Sequence, residues 1–152
     1  MRTIFQNTTN KISNIKTSSY IAKEKKELVK NKNQIDQNII NKKFEVLDAR
    51  SKGRFEGRDP EPRKELRSGS IPNSICLPYK ECINNDNSFK KINELKYTFE
   101  KILGPKLPTN VVFSCGSGVT ASVLALAYSL INNKYLPTVY DGSWAEYGRI
   151  KK

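Results

Sequence analysis

The 152-residue sequence contains no histidine, and this absence removes several kinds of chemistry at once. Histidine is the most frequent general base, the commonest metal ligand and the side chain whose charge changes nearest to neutral pH. Any chemistry must therefore use other groups. We predict neither a metal site nor a cofactor.

The sequence also lacks a long apolar run. Its most apolar stretch, Val119–Ile131, is interrupted by Thr120, Ser122 and Ser129, and it is shorter than the roughly 20 residues that span a bilayer. We therefore expect a soluble protein with no membrane partner. The length suits one domain and a short extension, because domains commonly have about 100–150 residues.

Cysteine is scarce and odd in number, with only Cys76, Cys82 and Cys115. This pattern argues against a disulfide framework, so we expect free thiols in a reducing compartment, the cytoplasm. Acidic residues are absent before Glu24, which leaves a mitochondrial targeting segment as the alternative. Against that alternative, Arg2 is the only arginine in this part of the chain.

The formal net charge of +12 is concentrated near the N-terminus, where residues 1–43 hold ten Lys and Arg against three Asp and Glu. Aromatic residues do not alternate with these basic residues, and no nucleic-acid-binding motif is present. We interpret residues 1–43 as a basic N-terminal extension and linker, with a short docked helix between about residues 20 and 41. We expect no specific binding of nucleic acid.

Strands and helices alternate along residues 44–150, which we predict to be the compact domain. This alternation favours an α/β fold in which helices cover both faces of a parallel sheet. The dense Arg, Glu, Gly and Pro content of Gly53–Gly69 indicates a long ordered loop. We predict strands at Phe44–Asp48, Ser74–Leu77, Val111–Ser114 and Pro137–Tyr140, and helices at Ile92–Leu103 and Val119–Ile131.

Cys115 lies where an apolar strand ends and a glycine-containing turn leads into a helix. In α/β sheets, ligands bind at the carboxyl ends of strands. Gly116 and Gly118 allow successive N–H groups to point inward and form an anion-binding nest, and the helix N-terminus adds partial positive charge. We predict that these groups lower the pKa of Cys115 without a histidine. The alternative is a buried core cysteine.

Several segments resemble the rhodanese superfamily. Residues 115–121 read CGSGVTA, which is similar to the active-site loop of 3-mercaptopyruvate sulfurtransferases. Further similar segments are LDAR at residues 47–50, GRF at 53–55, EPR at 61–63 and YDGSW at 140–144. The resemblance implies a rhodanese-like three-layer fold and a sulfurtransferase that holds sulfur as a persulfide on Cys115. Thiosulfate is the second choice of donor.

The resemblance also implies roles for individual residues. Cys115 and Ser117 would be catalytic, with Ser117 orienting the substrate or relaying a proton. Arg54 and Arg63 would bind the carboxylate of a small anionic sulfur donor, unless they serve only to hold the Pro-rich loop through Glu56, Asp59 or Glu61. The acceptor would be a thiol or cyanide. The remaining residues of the substrate-binding loop are Gly116, Gly118, Val119 and Thr120. We expect Thr120 to cap the helix rather than to react.

The sequence departs from the family in two respects. It matches only the second, catalytic domain of the two-domain enzymes, and it has no histidine with which Ser117 would pair. A separate rhodanese-like partner chain is therefore expected as one way to reach full activity.

A sulfur-carrier or regulatory binding module is the alternative function. A phosphatase is disfavoured because Ala121 stands where that chemistry needs an arginine. A redox role for Cys82 with Cys115 stays open, and Trp144 is expected at the rim of the pocket.

Overall fold

Five short parallel strands form a single sheet in the computed structural model, which describes residues 16–150. Their order across the sheet is β1-β5-β4-β2-β3, and every neighbouring pair is parallel. The strands are β1 (Val29–Lys30), β2 (Glu45–Asp48), β3 (Ile75–Cys76), β4 (Val111–Ser114) and β5 (Val139–Tyr140).

Helices connect these strands and cover both faces of the sheet. They are α1 (Lys32–Asn41), α2 (Lys52–Phe55), α3 (Ile92–Leu103), α4 (Val119–Ser129) and α5 (Ser143–Tyr147). Two 3₁₀ turns, at Lys26–Leu28 and Tyr79–Cys82, complete the regular structure of the described residues. None of the described helices is both long and apolar enough to cross a membrane.

The alternation of side chains along β4 divides the core into two clusters. Phe113 faces the larger cluster, where it packs edge-on against Phe99 of α3 and Tyr128 of α4. Val112 faces the opposite cluster, which contains Ile35 of α1 and Trp144 of α5. The result is the α/β three-layer arrangement that the sequence predicted.

The N-terminus of helix α1 is stabilised by a capping box, in which two residues cap each other's N–H groups. The Asn31 side chain accepts a hydrogen bond from the Gln34 N–H at 3.0 Å, and the Gln34 side chain accepts one from the Asn31 N–H at 3.0 Å. This reciprocal pair satisfies two N–H groups that a helix N-terminus otherwise leaves without partners. At the other end, the buried Asn38 side chain both donates to and accepts from the backbone of Phe44, which leads into β2.

The structure confirms the predicted bounds of α3 and β4 residue for residue. The prediction for α4 was correct at its start and two residues too long at its end, because Ile131 and Asn132 form a turn in which both N–H groups donate to Tyr128. Strand β5 begins later than predicted, at Val139, because the Thr138 N–H donates to the Tyr135 hydroxyl at 2.8 Å.

The segment Gly53–Gly69 is not a loop throughout, because its first residues belong to α2. Ser51 caps this short helix by accepting from the Arg54 N–H. The helix ends at Phe55, and Gly57 soon after it has a φ of +77, a conformation that commonly ends helices. The remaining residues, from Glu56 onward, form the loop that the prolines indicated.

The folded part of the chain begins before residue 44, where we predicted the domain to start. Strand β1 pairs with β5, with Val29 opposite Val139, and therefore belongs to the sheet. Helix α1 buries Ile35 completely against the second core cluster. Residues 29–41 thus contribute directly to the fold, whereas residues 1–15 of the predicted extension lie outside the described part.

Candidate active site

Cys115 follows β4 directly and lies at the carboxyl end of the middle strand of the sheet. Its side chain is almost completely buried, with 2% exposed, and joins the larger core cluster. The residues after it turn sharply into α4. Both sequence-based interpretations of Cys115 therefore apply in part, because a buried cysteine also faces a loop and a helix N-terminus.

Two glycines give this loop its shape. Gly118 has φ +86, a conformation that other residues rarely adopt, and a Cβ there would lie 2.9 Å from Oδ1 of Asp141. A Cβ on Gly116 would lie 3.2 Å from Nη2 of Arg54. The glycines therefore allow the loop to pass close to the residues after β5 on one side and to Arg54 on the other.

Helix α4 begins with its N-terminal N–H groups directed at Cys115. Gly118 occupies the N-cap position, and no side chain caps the helix. Thr120 lies inside the first turn, so the prediction that it caps the helix was wrong. Its hydroxyl instead contributes to lowering the pKa of the Cys115 thiol.

The surroundings of Cys115 act on its pKa in opposite directions. Burial raises the pKa of the thiol, but hydrogen bonds from the Thr120 hydroxyl and the backbone N–H groups of Ser117, Ala121 and Thr120 outweigh burial. One of these, from the Ser117 N–H to Sγ, has a length of 3.4 Å. The pKa of Cys115 therefore lies below that of an ordinary thiol, as the sequence predicted.

A cavity of about 270 Å³ opens beside Cys115. Every predicted site residue except Gly118 lines it. The lining residues are Arg54, Glu61, Pro62, Arg63, Leu66, Cys115, Gly116, Ser117, Val119 and Thr120. Larger cavities exist elsewhere in the described part of the chain, but none of them contains a cysteine with a lowered pKa. The fold thus brings the predicted residues together, while their roles stay predictions.

Arg54 reaches the cavity from α2 and is held there by the Pro-rich loop. Its Nη2 lies 2.5 Å from Oε2 of Glu61, and its side chain is 26% exposed. The interpretation that Arg54 holds the loop and the interpretation that it faces the substrate are therefore compatible. Arg63 also lines the cavity but is exposed and makes no ion pair within residues 16–150.

Glu61 connects Arg54 to a buried network of charges. Its Oε1 lies 2.7 Å from Nη1 of Arg50, and Nη2 of Arg50 lies 2.6 Å from Oδ2 of Asp48 at the end of β2. The Arg50, Asp48 and Glu61 side chains are at most 1% exposed. Buried charges need such partners because the low dielectric of the interior makes an unpaired charge very costly.

Helix α5 contacts the active-site loop through its first residues. The Cys115 N–H donates to the Ser143 hydroxyl at 3.0 Å, and that hydroxyl donates to the Tyr140 carbonyl at 2.8 Å. Ser143 belongs to the YDGSW segment, but the sequence predicted no role for it. No local pattern indicates this contact, because the two residues are far apart in the chain.

Trp144 does not lie at the rim of the cavity, as was expected. It is fully buried, its Nε1 donates to the Arg67 carbonyl at 2.8 Å, and the guanidinium groups of Arg50 and Arg67 each lie 4.6 Å from its ring centroid. Trp144 therefore acts as a core aromatic residue that packs against the buried charge network.

The other two cysteines have the opposite chemistry. Burial raises the pKa of Cys76 to about 11 and that of Cys82 to about 12. Cys82 is fully buried in the core, and the three described thiols are all free. These surroundings disfavour the thiolates of Cys76 and Cys82 and argue against a redox pair of Cys82 with Cys115.

Comparison with known proteins gives consistent matches. A family model described as "Rhodanese-like domain" matches residues 23–149. Thiosulfate/3-mercaptopyruvate sulfurtransferase 1, mitochondrial, of Arabidopsis thaliana is 40% identical over 114 residues, which cover 75% of this chain and 30% of that protein. The 3-mercaptopyruvate sulfurtransferase of Mus musculus is 40% identical over 120 residues, which cover 78% of this chain and 39% of that protein.

A solved structure, that of the Tum1 protein from Saccharomyces cerevisiae, matches with a TM-score of 0.69 and 32% identity. The match covers 80% of this chain and 43% of that one. The chain therefore spans less than half of the length of each of these three proteins.

Proposed function

Because the chain belongs to the rhodanese-like domain family, we propose that it is a sulfurtransferase that carries sulfane sulfur as a persulfide on Cys115. The observation that carries this proposal is the lowered pKa of a cysteine that lies beside an arginine-lined cavity. The thiolate is the nucleophilic form of cysteine. Sulfurtransferase relatives support the same chemistry.

In the first step, the Cys115 thiolate attacks the sulfur of 3-mercaptopyruvate. An Sγ–S bond forms, the C–S bond breaks, and pyruvate leaves as its enolate, which then takes up a proton. In the second step, a thiolate or cyanide attacks the outer sulfur, the S–S bond breaks, and the Cys115 thiolate is restored. Covalent capture thus divides one transfer into two steps.

The described residues suit an anionic intermediate. The Cys115 thiolate is stabilised by N–H groups of the loop and of the first turn of α4, together with the Thr120 hydroxyl. The same groups are available to stabilise a persulfide anion at Cys115. The Ser117 hydroxyl makes no hydrogen bond with another described residue and lines the cavity, so it is able to orient the donor or to relay a proton.

We expect 3-mercaptopyruvate rather than thiosulfate as the preferred donor. Thiosulfate is a dianion whose sulfonate benefits from basic side chains close to the reacting sulfur, whereas Gly116 and Ser117 directly after Cys115 are neutral. Mercaptopyruvate carries one carboxylate away from its sulfur, and Arg54 and Arg63 line the same cavity as Cys115. A bidentate arginine suits such a carboxylate.

The experiment is incubation of the purified chain with 3-mercaptopyruvate and, separately, with thiosulfate, followed by intact mass measurement and cyanolysis. We expect one added sulfur atom with 3-mercaptopyruvate, its loss on treatment with cyanide, and no addition in Cys115→Ser. Cys76→Ser is the matched control and should be loaded normally. Absence of loading with both donors would instead favour a regulatory binding module.

A separate rhodanese-like partner chain is a further part of the proposal, because this sequence offers Ser117 no histidine with which to pair. Comparison of single-turnover loading with steady-state turnover tests it. Fast loading with slow turnover is expected if the acceptor step needs the partner. Fast turnover of the isolated chain would contradict that need.

For the compartment, we propose the cytoplasm, with the mitochondrion as the alternative because one relative is named a mitochondrial protein. A fluorescent protein fused after residue 152 should report a diffuse signal. Mitochondrial signal that is lost when residues 1–19 are deleted would establish the alternative.

A further inference from the structure

The active-site loop and the first turn of α5 are joined by three successive hydrogen bonds. The first is that from the Cys115 N–H to the Ser143 hydroxyl, at 3.0 Å. In addition, the Trp144 N–H donates to the Cys115 carbonyl and the Ala145 N–H donates to the Gly116 carbonyl, both at 2.9 Å. Both the N–H and the C=O group of Cys115 are therefore hydrogen-bonded to residues of α5.

These bonds determine where the loop amides point. A trans peptide unit is planar, and its C=O and N–H point in opposite directions, and no cis peptide bond occurs in residues 16–150. The Gly116 carbonyl faces α5, so the Ser117 N–H in the same unit points away from α5. It is this N–H that donates to Sγ of Cys115.

Of these three hydrogen bonds, only the one from Cys115 to Ser143 uses a side chain. The other two join backbone groups. Ser143 is completely buried, and its φ of 48 lies in the left-handed region that serine seldom occupies. Its hydroxyl accepts from Cys115 and donates to the Tyr140 carbonyl at 2.8 Å, so both of its hydrogen-bonding capacities are directed at this contact. Residues in unusual conformations persist where the surrounding structure requires them, often at functional sites.

We propose that Ser143 is a positioning residue for Cys115, which holds the loop backbone so that its N–H groups face the sulfur. The hydrogen bonds of the Ser143 hydroxyl go to the Cys115 N–H and the Tyr140 carbonyl and not to Sγ, so Ser143 acts through the backbone of Cys115. This inference rests on the proposed sulfurtransferase function for its biological meaning, but it concerns the reactivity of a thiol and can be tested without any sulfur donor.

The test is the rate of Cys115 alkylation by iodoacetamide as a function of pH, in the full chain and in variants of Ser143. In all variants the charged groups that line the cavity, Arg54, Glu61 and Arg63, are unchanged. Ser143→Ala removes the hydroxyl and keeps a side chain in the left-handed conformation. Ser143→Gly removes the same hydroxyl but tolerates that conformation, so it protects the test against a failure to fold.

Ser74→Ala is the matched control. The Ser74 hydroxyl also donates to the carbonyl three residues earlier, that of Ile71, at 2.6 Å, as the Ser143 hydroxyl does to Tyr140. Within the described residues, the Ser74 hydroxyl makes no hydrogen bond with the Cys115 loop. A general effect of removing such a bond should therefore appear in all three variants, and an effect on the sulfur only in the two Ser143 variants.

We expect both Ser143 variants to shift the midpoint of the alkylation profile to higher pH and to slow alkylation about two- to tenfold below the midpoint, as for loss of one hydrogen bond. The limiting rate at high pH and the Ser74→Ala profile should be unchanged. Unshifted midpoints in folded Ser143 variants would overturn the proposal, as would a failure of both to fold, because Ser143 would then serve the whole fold. Failure of donor loading in the unaltered chain would affect only the proposed function.

Discussion

The carboxylate of Glu61 contacts the guanidinium of Arg54, with Oε2 2.5 Å from Nη2, although only 1% of the Glu61 side chain is exposed. Arg54 itself is partly exposed and lines the cavity beside Cys115. The buried carboxylate therefore sets the position of a cation that faces the cavity. Because Glu61 also binds Arg50, that position is tied to the end of β2.

Glu61→Gln should weaken donor binding while leaving Cys115 able to react. The neutral amide no longer holds Arg54 by charge, so the KM for 3-mercaptopyruvate should rise about tenfold. Breaking a buried ion pair completely costs about 3–5 kcal/mol of the free energy of unfolding. The loss here should be smaller, because Arg50 keeps its ion pair with Asp48. Steady-state kinetics and urea unfolding measure these effects. Glu65→Gln, in an exposed position of the same loop, is the control and should change neither quantity.

Arg54→Ala and Arg63→Ala should each raise the KM for 3-mercaptopyruvate, but only the first should affect stability. Loss of one charge-assisted contact corresponds to about 1.5–3 kcal/mol, or roughly ten- to a hundredfold. Arg54→Ala leaves the buried Glu61 with one fewer partner, whereas Arg63 is exposed, and such surface changes stay within about 0.5 kcal/mol. Arg58→Ala, which removes an exposed pair with Glu56, is the control. An unchanged KM in both site variants would remove these arginines from the donor site.

Gly118→Ala should reduce both stability and the reactivity of Cys115. The new Cβ would adopt φ +86 and lie 2.9 Å from Oδ1 of Asp141, so the loop has to move. Gly104→Ala is the matched control, because Gly104 also has a positive φ, +85, but no atom lies within 4 Å of an added Cβ. Both variants should lose about 1–3 kcal/mol of stability. Only Gly118→Ala should slow alkylation of Cys115, as measured by mass spectrometry at fixed pH.

The three thiols should react in a defined order as pH rises. The pKa of Cys115 is lowered, whereas those of Cys76 and Cys82 are raised to about 11 and about 12. Since only the thiolate reacts rapidly, Cys115 should be alkylated first and at a pH below the free-thiol value of about 8.5. Peptide mapping after brief alkylation identifies the site. Earlier labelling of Cys76 than of Cys115 is the outcome that contradicts the lowered pKa.

Ser117→Lys should shift donor preference towards thiosulfate. It places a cation directly after the neutral Gly116, and Ser117 is exposed, so the larger side chain has space. Gly116→Arg with Ser117→Lys should act in the same direction, but a side chain at residue 116 begins 3.2 Å from Nη2 of Arg54 and should also disturb mercaptopyruvate binding. The ratio of kcat/KM for the two donors measures the change. Ser129→Lys, at the opposite end of α4, should leave the ratio unaltered.

Local patterns were sufficient to predict the elements around Cys115. The apolar run of β4 and the apolar start of α4 leave little choice of conformation, and the glycines between them indicate a turn. The same signals predicted the lowered pKa of Cys115, because N–H groups at a helix start favour an anion. For this part of the chain, sequence spacing and structure carry the same information.

The contacts that the sequence did not reveal are long-range ones. Strand β1 has only two residues and no alternation, and it becomes a strand because β5 offers backbone partners. The sequence suggested that Thr120 caps its own helix, whereas its hydroxyl lowers the pKa of the Cys115 thiol, an effect that depends on how the turn places the two residues. Ser143 and Trp144 belong to one short segment, yet their roles depend on the distant Cys115 and Arg67.

The pairing of β1 with β5 also determines when this domain can be completed during its synthesis. Strand β1 leaves the ribosome before the other strands, but its neighbour in the described sheet is β5, which is made after all of them. Strands β2, β3 and β4 can associate earlier, because their partners lie between residues 45 and 114. Until residue 140 has emerged from the ribosome, the edge of β4 that pairs with β5 has no strand beside it, and residues 29–30 have no strand with which to pair.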